Sequence, residues 1–410
     1  MNKPVVIDST AATPAPGAAA TIARPPPSAE HMQRYQNIEE LRQAARRRLP
    51  KGVFEYFDRG TMDELSLRDN RTGFQTVKLR NKVCIDVTKR STEATIFGKP
   101  LSMPLAVGPT GAAGVCWFEG ELALARAAAR FGVPFTLAVL SLSTIEAVAA
   151  AGQGARQWFQ LYVWPEREQS YALVRRAKDA GFETLIVTVD TQVSPVREYN
   201  RRNGFTMPFF INGRAVWDVM LHPRWAIGTF APHYFKYGMP ALAHRPKPTK
   251  GGERPSLSGG DVTWEDIKRL RDLWKGPMIL KGLHRPEDAA RAAAEGLDAL
   301  VISNHGGRNL DTAVNSLDVL PEIKAEVGDR MKVIVDSGIR RGGDILKARA
   351  LGADLVLIGR ATLYGTCVGG EEGAYHALHL LRNELETDMG FTGCCTNDEI
   401  GPQVLWQPKR

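Results

Sequence analysis

The stretch KVIVDSGIRRGGDILKARALGADLVLIGR, residues 332–360, decides the fold of this chain. Two apolar runs, at 332–338 and 355–360, enclose a helix-like segment at 343–351 that is followed by Gly352. Continuous runs of Val, Ile and Leu are typical of strands buried on both faces, and glycine commonly follows the last turn of a helix. The stretch therefore predicts a strand–helix–strand unit with parallel strands.

The same alternation extends back along the chain to about residue 104. Six further strands are predicted at 104–109, 134–139, 158–163, 184–190, 277–282 and 299–305. Eight strands with helical crossovers predict an α/β fold, namely a closed TIM (β/α)8 barrel of parallel strands. The alternative is an open doubly wound sheet. Such a sheet typically has a GxGxxG motif after its first strand, whereas this chain has GPTG at 108–111.

Two stretches lie outside this repeat. Helix-like segments at 38–48 and 52–57 precede the barrel, and the connection at 191–262 after strand four is much longer than usual. The first residues are rich in Ala, Pro and Thr and lack the pattern of a secretory signal, so we expect disorder there. We divide the chain into a disordered tail at 1–30, an N-terminal helical segment that packs on the barrel at 31–100, the barrel at 101–390, with 191–262 as a long loop insertion, and a C-terminal tail at 391–410.

The composition excludes several classes of protein. The 53 Lys and Arg exceed the 45 Asp and Glu by a formal charge of +8, which is too mild in a chain this long to indicate nucleic-acid binding. The five cysteines form no CxxC pair and no zinc-like spacing, so we expect no metal site. No apolar stretch is long enough to predict a transmembrane helix.

Polar or glycine residues stand at the end of nearly every predicted strand. Active sites of TIM barrels form where the C-terminal ends of the strands meet, and a purely structural barrel needs no such polar groups there. The pattern therefore predicts an active site at that rim. The strand-end residues are Pro109, Thr110, Gly111, Gln160, Tyr162, Thr188, Asp190, Lys281, Ser303, Asn304, His305, Asp336, Ser337, Gly338, Gly359 and Arg360, and Arg340 follows two residues after Gly338.

The last two strands end in segments that suit a phosphate group. The residues DSGIR at 336–340 and Gly359-Arg360 combine glycines, which let the backbone approach a ligand closely, with arginines, which bind anions in bidentate fashion. Barrels commonly hold a phosphate after strands seven and eight. The alternative is a tight turn with a surface arginine.

The segment SNHGGR at 303–308 is the second candidate for chemistry. His305 is a natural proton acceptor near neutral pH, and Arg308 could hold a carboxylate in the same pocket. The alternative is a hydrogen-bonded structural histidine.

These motifs resemble those of the FMN-dependent 2-hydroxy acid dehydrogenases and oxidases. The resemblance covers residues from about 35 to 400, and further motifs are closest to the branch with the (S)-mandelate and L-lactate dehydrogenases. The shared motifs are SNHGGRNLD (303–311), FQLY (159–162), PMILKG (277–282), DSGIR (336–340) and LIGR (357–360), and those closest to that branch are GPTGAAG (108–114), 122–128 and RATLYG (360–365).

The resemblance implies an enzyme with FMN that oxidises a small (S)-2-hydroxy acid to the 2-oxo acid. In the family pattern His305 is the base that takes a proton from the substrate, and Asp190 is the carboxylate that pairs with it. Whether the proton comes from the hydroxyl or from the α-carbon stays open. Without the resemblance, Asp190 reads as a loop-capping residue.

The remaining substrate contacts also follow from the resemblance. Arg308 and Arg197 match the pair that clamps the substrate carboxylate, and Tyr56 and Tyr162 match tyrosines that reach the substrate. Taken alone, Arg197 would be a solvated loop arginine and both tyrosines core aromatics.

The cofactor contacts are implied in the same way. Lys281 matches the cation near flavin N1 and O2, where a fixed positive charge stabilises reduced flavin. Gln160, Thr188 and Ser303 match further polar contacts to the ring, and the segment at 109–111 matches the flavin N5 side. Ala138 stands where relatives have Ser or Thr, which predicts altered redox tuning or weaker cofactor binding.

The segment at 205–247 is rich in aromatic residues interleaved with cations, which suits a membrane interface. Its aromatic residues are Phe205, Phe209, Phe210, Trp217, Trp225, Phe230, Tyr234, Phe235 and Tyr237. We predict peripheral membrane contact through this segment, and the alternative is a loop that packs on a neighbouring subunit.

The membrane reading favours a quinone or another respiratory-chain component as electron acceptor. The alternative is an oxidase that uses O2 and produces hydrogen peroxide, against which Gly111 is a weak indication, since glycolate oxidase has Ala there. We expect a cytoplasmic protein, peripheral on the inner face of the cell membrane, and the resemblance implies a homotetramer.

Overall fold

A computed structural model describes residues 24–204, 213–245 and 260–406. Eight parallel strands close into a barrel, and a two-stranded antiparallel hairpin precedes them. The strands are β1 (Ala94–Ile96), β2 (Lys99–Leu101), β3 (Leu105–Val107), β4 (Phe135–Ala138), β5 (Gln157–Leu161), β6 (Thr184–Thr188), β7 (Met278–Leu283), β8 (Ala299–Ile302), β9 (Lys332–Val335) and β10 (Leu355–Ile358).

The barrel closes where β10 pairs with β3, in the register Ile358↔Val107. All eight strands predicted from the sequence are confirmed, and the open-sheet alternative is wrong. Most strands end before the predicted boundary, because the last predicted residues form the turns that carry the polar side chains.

Helices surround the barrel and precede it. The crossovers between consecutive barrel strands each contain at least one helix, and the last helix follows β10 and bends at Gly369 and Gly370. The helices are α1 (Ile38–Arg48), α2 (Lys51–Asp58), α3 (Leu65–Thr76), α4 (Gly120–Phe131), α5 (Ile145–Ala151), α6 (Arg167–Asp179), α7 (Glu198–Asn203), α8 (Gly213–Met220), α9 (Pro223–Trp225), α10 (Ala231–Tyr237), α11 (Trp264–Leu273), α12 (Pro286–Ala294), α13 (Ser316–Val327), α14 (Gly342–Ala350) and α15 (Arg360–Thr392), with a π-helical turn at Ala226–Phe230 and 3-10 turns at Glu30–Met32, Ala113–Val115, Asn397–Glu399 and Pro402–Val404.

The core has two layers because side chains of each strand point alternately into the barrel and towards the helices. Trp158, Ile186 and Ile334 belong to the inner cluster, whereas Phe159 and Val187 belong to the larger cluster with the helices. The hairpin of β1 and β2, which the sequence did not predict, adds its buried side chains to the inner cluster.

The segment before the barrel contains α1 and α2 where the sequence predicted them, and also α3. Helix α1 packs on α15, and α3 packs on α13. The segment after α15 returns to the same side, where Leu79 and Leu405 form a bridge and both Val404 and Leu405 are buried. The N-terminal segment therefore spans the outside of the barrel and brings α2 to its rim.

The insertion at 191–262 is more ordered than the loop that its length predicted. Its described residues form α7, α8, α9, the π-helical turn and α10, so much of the described part of the insertion is helical. Trp225 is the anchor: it is buried, and its Nε1 donates to the Val115 carbonyl at 2.7 Å. Within the described ranges, none of the helices combines the length and the apolar composition that a membrane crossing requires. Phe205, Phe209 and Phe210 lie outside the described residues, as does most of the predicted tail at 1–30.

Candidate active site

A cavity of about 320 Å³ opens at the C-terminal ends of the barrel strands. The cavity therefore lies at the rim where the strand ends predicted a site. The predicted site residues that line it are Tyr56, Pro109, Thr110, Gly111, Gln160, Tyr162, Thr188, Arg197, Lys281, His305, Arg308, Asp336, Gly338, Arg340, Gly359 and Arg360.

His305 projects into this cavity directly after β8 and is held from behind by a carboxylate. Its Nδ1 lies 2.9 Å from Asp190 Oδ1 and 3.1 Å from Oδ2. The His305 backbone has a φ of +57°, an uncommon conformation for a residue with a side chain, and its N–H donates to Ser303 Oγ at 3.0 Å. Strain of this kind is found at functional sites, where surrounding contacts hold the geometry.

The electrostatics of this pair suit proton transfer. Burial lowers the pKa of His305 below its usual value, although Asp190 acts in the opposite direction. Burial would raise the pKa of Asp190, but the charges of His305 and Lys281 hold it below its usual value. The imidazole is therefore neutral near pH 7 and stands beside a carboxylate that stabilises it once it gains a proton.

The other ring nitrogen of His305 faces Tyr162 in the cavity. Its Nε2 lies 3.4 Å from the hydroxyl of Tyr162, and the two rings are stacked with 6.5 Å between their centroids. Burial raises the pKa of Tyr162, so its hydroxyl stays protonated and serves as a hydrogen-bond donor. Tyr56, on α2, lines the same side of the cavity.

Two arginines flank the histidine without a carboxylate of their own. Arg197 Nε and Nη2 donate to the Arg308 carbonyl at 3.3 and 3.1 Å, and Arg308 Nη1 donates to the carbonyls of Tyr56 and Arg59. Burial, together with the neighbouring Arg308, lowers the pKa of Arg197 to about 10. Among the described residues, no carboxylate lies within ion-pair distance of either arginine. Their charges therefore favour an anionic ligand in the cavity.

Arg360 is a third buried cation at the rim, on the side of β10. Its guanidinium donates to the carbonyls of Phe57 and Gly306 at 2.8 Å and of Arg59 at 3.1 Å. Burial lowers its pKa to about 10. The carbonyls at the C-terminal end of α2 carry partial negative charge, which explains why an arginine is tolerated there without a carboxylate.

Lys281 lies at the floor of the cavity and is almost fully buried. Its Nζ donates to Ser303 Oγ at 2.7 Å and lies 3.1 Å from Asp336 Oδ2. Burial would lower the pKa of Lys281, but Asp336 and Asp190 hold it above its usual value. The ammonium is therefore a fixed positive charge at neutral pH.

The opposite wall of the cavity is formed by β3 to β6. Gln160 Nε2 donates to Thr188 Oγ1 at 3.0 Å, which fixes both side chains. Ala138 also lines this wall. It is the position at which the sequence predicted a missing hydroxyl, since relatives have Ser or Thr there. A Cβ on Gly111 would lie 3.3 Å from Leu140, so the wall is closely packed at that point.

The loop after β9 is held in place by α3, a contact that the sequence did not predict. Gly338 has a φ of +94°, and a side chain there would collide with the Asn70 carbonyl. Arg71 donates to the Gly338 carbonyl and, at 2.8 Å, to Asp344 Oδ2, which also accepts from the Arg340 N–H. The segment that the sequence predicted to hold a phosphate is therefore supported by the N-terminal extension.

These residues fit FMN by their chemistry. Arg340 and Arg360 line the end of the cavity beside Gly338 and Gly359, and no described carboxylate lies within ion-pair distance of the two guanidinium groups. Arginines that have no carboxylate partner in the described part of the protein, next to glycines that let a ligand approach the backbone closely, suit a phosphate group. Lys281, Gln160 and Thr188 line the same cavity, where they offer a cation and polar groups to a flavin ring.

Two predicted residues, Asp190 and Ser303, do not line the cavity but stand behind His305 and Lys281. Sequence reasoning missed several lining residues, because the segment at 191–195, Phe57 and Leu140 carry no polar signature at a strand end. Asn309 Nδ2 donates to the Asp190 carbonyl at 2.7 Å and was also missed. It lies within the motif at 303–311, which was the available signal.

Comparisons with known proteins agree with this geometry. The family model described as FMN-dependent dehydrogenase matches residues 45–407. (S)-mandelate dehydrogenase of Pseudomonas putida is 40% identical over 375 residues, which cover 90% of this chain and 93% of that protein. L-lactate oxidase of a Nostoc species is 39% identical over 378 residues, with coverages of 90% and 97%. A solved structure of the "monotopic membrane protein (S)-mandelate dehydrogenase" superposes with a TM-score of 0.84 at 39% identity, covering 91% of this chain and 100% of that one.

Proposed function

The chain belongs to the FMN-dependent dehydrogenase family, and on that premise we propose that it oxidises a small (S)-2-hydroxy acid of the lactate or mandelate type and passes the electrons to a quinone or another respiratory-chain acceptor. The resemblance seen in the motifs is confirmed, as are the TIM barrel, the cofactor FMN and the assignment as an oxidoreductase acting on CH–OH donors. Oxidation of a 2-hydroxy acid with FMN is the general activity. Its exact substrate, its acceptor and the roles of single residues form the proposal.

His305 is the proposed base. Its Nε2 takes the substrate proton while Asp190, 2.9 Å from Nδ1, stabilises the imidazolium that results. Bound FMN would supply the two-electron acceptor that this oxidation requires. The proposal is the same for a proton from the hydroxyl and for one from the α-carbon, because both need a base at this atom.

Arg197 and Arg308 hold the substrate carboxylate. They are linked to each other through the Arg308 carbonyl, so they present their free N–H groups as one unit. The hydroxyl of Tyr162, which stays protonated, donates to a substrate oxygen beside His305, and Tyr56 closes the cavity from α2. A bidentate anchor of this kind fixes the α-carbon and contributes mainly by positioning.

The remaining residues hold the cofactor. Arg340 and Arg360, with Gly338 and Gly359, would bind the phosphate, and Lys281 would supply a positive charge to the ring when it becomes negative on reduction. Gln160, Thr188 and the segment at 109–111 would contact the ring, and Ser303 and Asp336 fix the ammonium of Lys281.

The observation that carries the proposal is the position of His305, whose Nδ1 lies 2.9 Å from Asp190, in the cavity that Arg197 and Arg308 also line. Among the described residues, neither arginine has a carboxylate within ion-pair distance. The test is anaerobic mixing of the yellow holoenzyme with a panel of (S)- and (R)-2-hydroxy acids. We expect fast bleaching of the flavin by the (S)-acids only, with lactate and mandelate as the first probes. A holoenzyme that no 2-hydroxy acid bleaches would contradict the proposal.

The second part of the proposal is that the insertion at 191–262 contacts the membrane. Trp217, Ile227 and Phe235 expose 63%, 73% and 86% of their surfaces, which is unusual for large apolar side chains on one segment. We expect the triple replacement of these residues by Ser to move the enzyme from the membrane to the soluble fraction with flavin bleaching unchanged. Unchanged partitioning would favour the alternative, a contact with a neighbouring subunit.

The acceptor is tested by the yield of hydrogen peroxide. The similarity to an L-lactate oxidase keeps oxidase activity as the alternative function. A dehydrogenase gives little peroxide per substrate oxidised and is reoxidised by quinone, whereas an oxidase gives about one equivalent. The proposed location, on the inner face of the cell membrane, and the homotetramer remain predictions, and light scattering of the purified enzyme checks the latter.

A further inference from the structure

A second cavity, of about 240 Å³, lies between the insertion and the barrel. Its walls are largely apolar. The described residues that line it are Pro50, Gly52, Val53, Gly114, Val115, Asn203, Gly204, Val216, Asp218, Val219, Met220, Trp225, Thr229, Phe230, His233, Met239 and Pro240.

Most of the polar side chains in these walls already have partners. Asp218 accepts from the Gly52 N–H at 3.2 Å, and Thr229 Oγ1 accepts from Arg48 at 3.0 Å. Asn203 donates to Glu55 at 2.5 Å. Among the lining side chains that the structure describes, His233 is the one large polar group with no hydrogen bond to the protein.

His233 is 6% exposed, and no hydrogen bond joins its ring to the described residues. The ring lies 5.3 Å from that of Tyr237, centroid to centroid. Burial lowers the pKa of His233, so the ring is neutral and carries one N–H. Since the ring lines the cavity and has no hydrogen bond to the described residues, this N–H is available to an acceptor there.

The second cavity shares two walls with the active site. On α2, Val53 lines the second cavity, and Tyr56, about one helical turn further on, lines the active site. After β3, the segment at 109–111 lines the active site, and Gly114 and Val115 line the second cavity. The two cavities therefore lie along the same two segments of the chain, α2 and the turn after β3.

The mouth of the second cavity opens on an apolar surface. Val216, Met220 and Met239 line the cavity and still expose 44%, 65% and 40% of their surfaces. Trp217 and Leu221 extend this surface beside them, at 63% and 62%. A ligand dissolved in a membrane could enter here without crossing water.

From these observations we propose that the second cavity binds the head group of a quinone, with His233 donating a hydrogen bond to one quinone carbonyl. The volume is below the usual range of about 300–1,000 Å³ for drug-sized ligands, which suits a single substituted ring. A lipid acyl chain would fill the apolar part but would leave the His233 N–H without an acceptor. The inference rests on the proposed function, because the acceptor is the quinone named there.

The reaction balances with this acceptor. Oxidation of a 2-hydroxy acid to the 2-oxo acid breaks one C–H and one O–H bond and releases two electrons and two protons. Reduction of the quinone to the quinol takes up the same two electrons and two protons, and both carbonyls become hydroxyls. No further oxidant or reductant is required.

The test compares His233→Leu, His233→Gln and Val216→Trp with the native holoenzyme, using a benzoquinone with a short alkyl tail. Calorimetric titration of the oxidised enzyme measures quinone affinity directly. We expect His233→Leu to weaken binding roughly 3- to 10-fold, the effect of one lost neutral hydrogen bond. His233→Gln, which keeps a donor, should recover most of it. Val216→Trp, at the exposed rim, should obstruct binding without disturbing the core.

Three readouts separate this inference from the proposed function. Anaerobic bleaching by the 2-hydroxy acid and reoxidation by ferricyanide, a hydrophilic acceptor, should be unchanged in all variants, whereas reoxidation by the quinone should slow in His233→Leu and Val216→Trp. Phe235→Ser, exposed but outside the cavity, is the matched control and should bind the quinone normally in detergent. Native quinone binding in both cavity variants would overturn the inference alone. Failure of the native enzyme to bleach would overturn the proposed function.

Discussion

Replacing Asp190 by Asn tests the electrostatic core of the site with almost no change in shape. The carboxylate accepts from His305 Nδ1 at 2.9 Å, and its side chain is only 12% exposed. An amide can still accept from Nδ1 through its oxygen, so the imidazole can keep its place. The variant removes the negative charge that stabilises the imidazolium, and little else.

The magnitude follows from the distance. Two unit charges 2.9 Å apart attract by about 6 kcal/mol at an effective dielectric constant of about 20, and the retained hydrogen bond and reorganisation recover part of this. Hydrogen bonds to charged groups contribute a net ~1.5–3 kcal/mol in proteins. We therefore expect the Asp190→Asn enzyme to be reduced by substrate roughly 10- to 150-fold more slowly.

The assay is anaerobic stopped-flow bleaching of the flavin as a function of pH. The base must be neutral, so the rate falls as pH decreases through the pKa of His305, which lies below 6.5 in the native enzyme. Loss of the carboxylate lowers that pKa further. The acidic limb should therefore move to lower pH while the plateau at higher pH decreases.

A native rate in Asp190→Asn would refute the reasoning, and so would an acidic limb that moves to higher pH. The FMN content and the melting temperature serve as controls. They separate a loss of proton transfer from a loss of the folded holoenzyme.

Three further predictions address the anion clamp, the cation and the missing hydroxyl. Arg197→Met should raise the KM for the substrate about 10- to 150-fold, because it removes one charge-assisted contact to the carboxylate. Steady-state kinetics with a neutral amide analogue is the control, and the KM for this analogue should change little. Lys281→Met should lower the flavin midpoint potential, measured by redox titration, by about 30 mV or more, which equals ~1.4 kcal/mol for a two-electron couple. An unchanged potential would exclude stabilisation of the reduced ring by this ammonium. Ala138→Ser should tighten FMN binding or shift its potential, because it adds a hydroxyl to the cavity wall, and identical dissociation constants and potentials would show that the missing hydroxyl has no effect.

Much of the barrel could be predicted from the sequence because its signal is local. Each strand is a short apolar run followed by polar residues, and the parallel arrangement then brings those residues to one rim. His305, Lys281 and Arg308 could be placed in one pocket on this basis before any coordinates were known.

Contacts between distant segments could not be predicted in the same way. The packing of Gly338 against Asn70 joins a loop and a helix more than 200 residues apart, and nothing in either local sequence signals the partner. The same is true of the hairpin of β1 and β2, whose three-residue strands are too short to give a periodic pattern. The helices of the insertion were missed because its length indicated a loop. Trp225 holds the segment against the barrel, where it is buried and donates to the Val115 carbonyl.

The sequence also could not predict the hydrogen-bond partners that hold a functional side chain in place. Arg360 could be predicted to bind phosphate, but its three hydrogen bonds to carbonyls at the end of α2 and after His305 became visible only in the structure. His233 gave no signal at all, because a lone histidine in an aromatic segment has many possible environments.

The central claim is that His305 takes a proton from a 2-hydroxy acid held by Arg197 and Arg308. The most direct test is anaerobic bleaching of FMN-loaded His305→Gln by the best (S)-2-hydroxy acid, with the native enzyme beside it and substrate binding measured separately. General-base catalysis contributes roughly 100- to 10,000-fold, so we predict a loss in that range with FMN and substrate still bound. Bleaching of the His305→Gln enzyme at the native rate would contradict the claim.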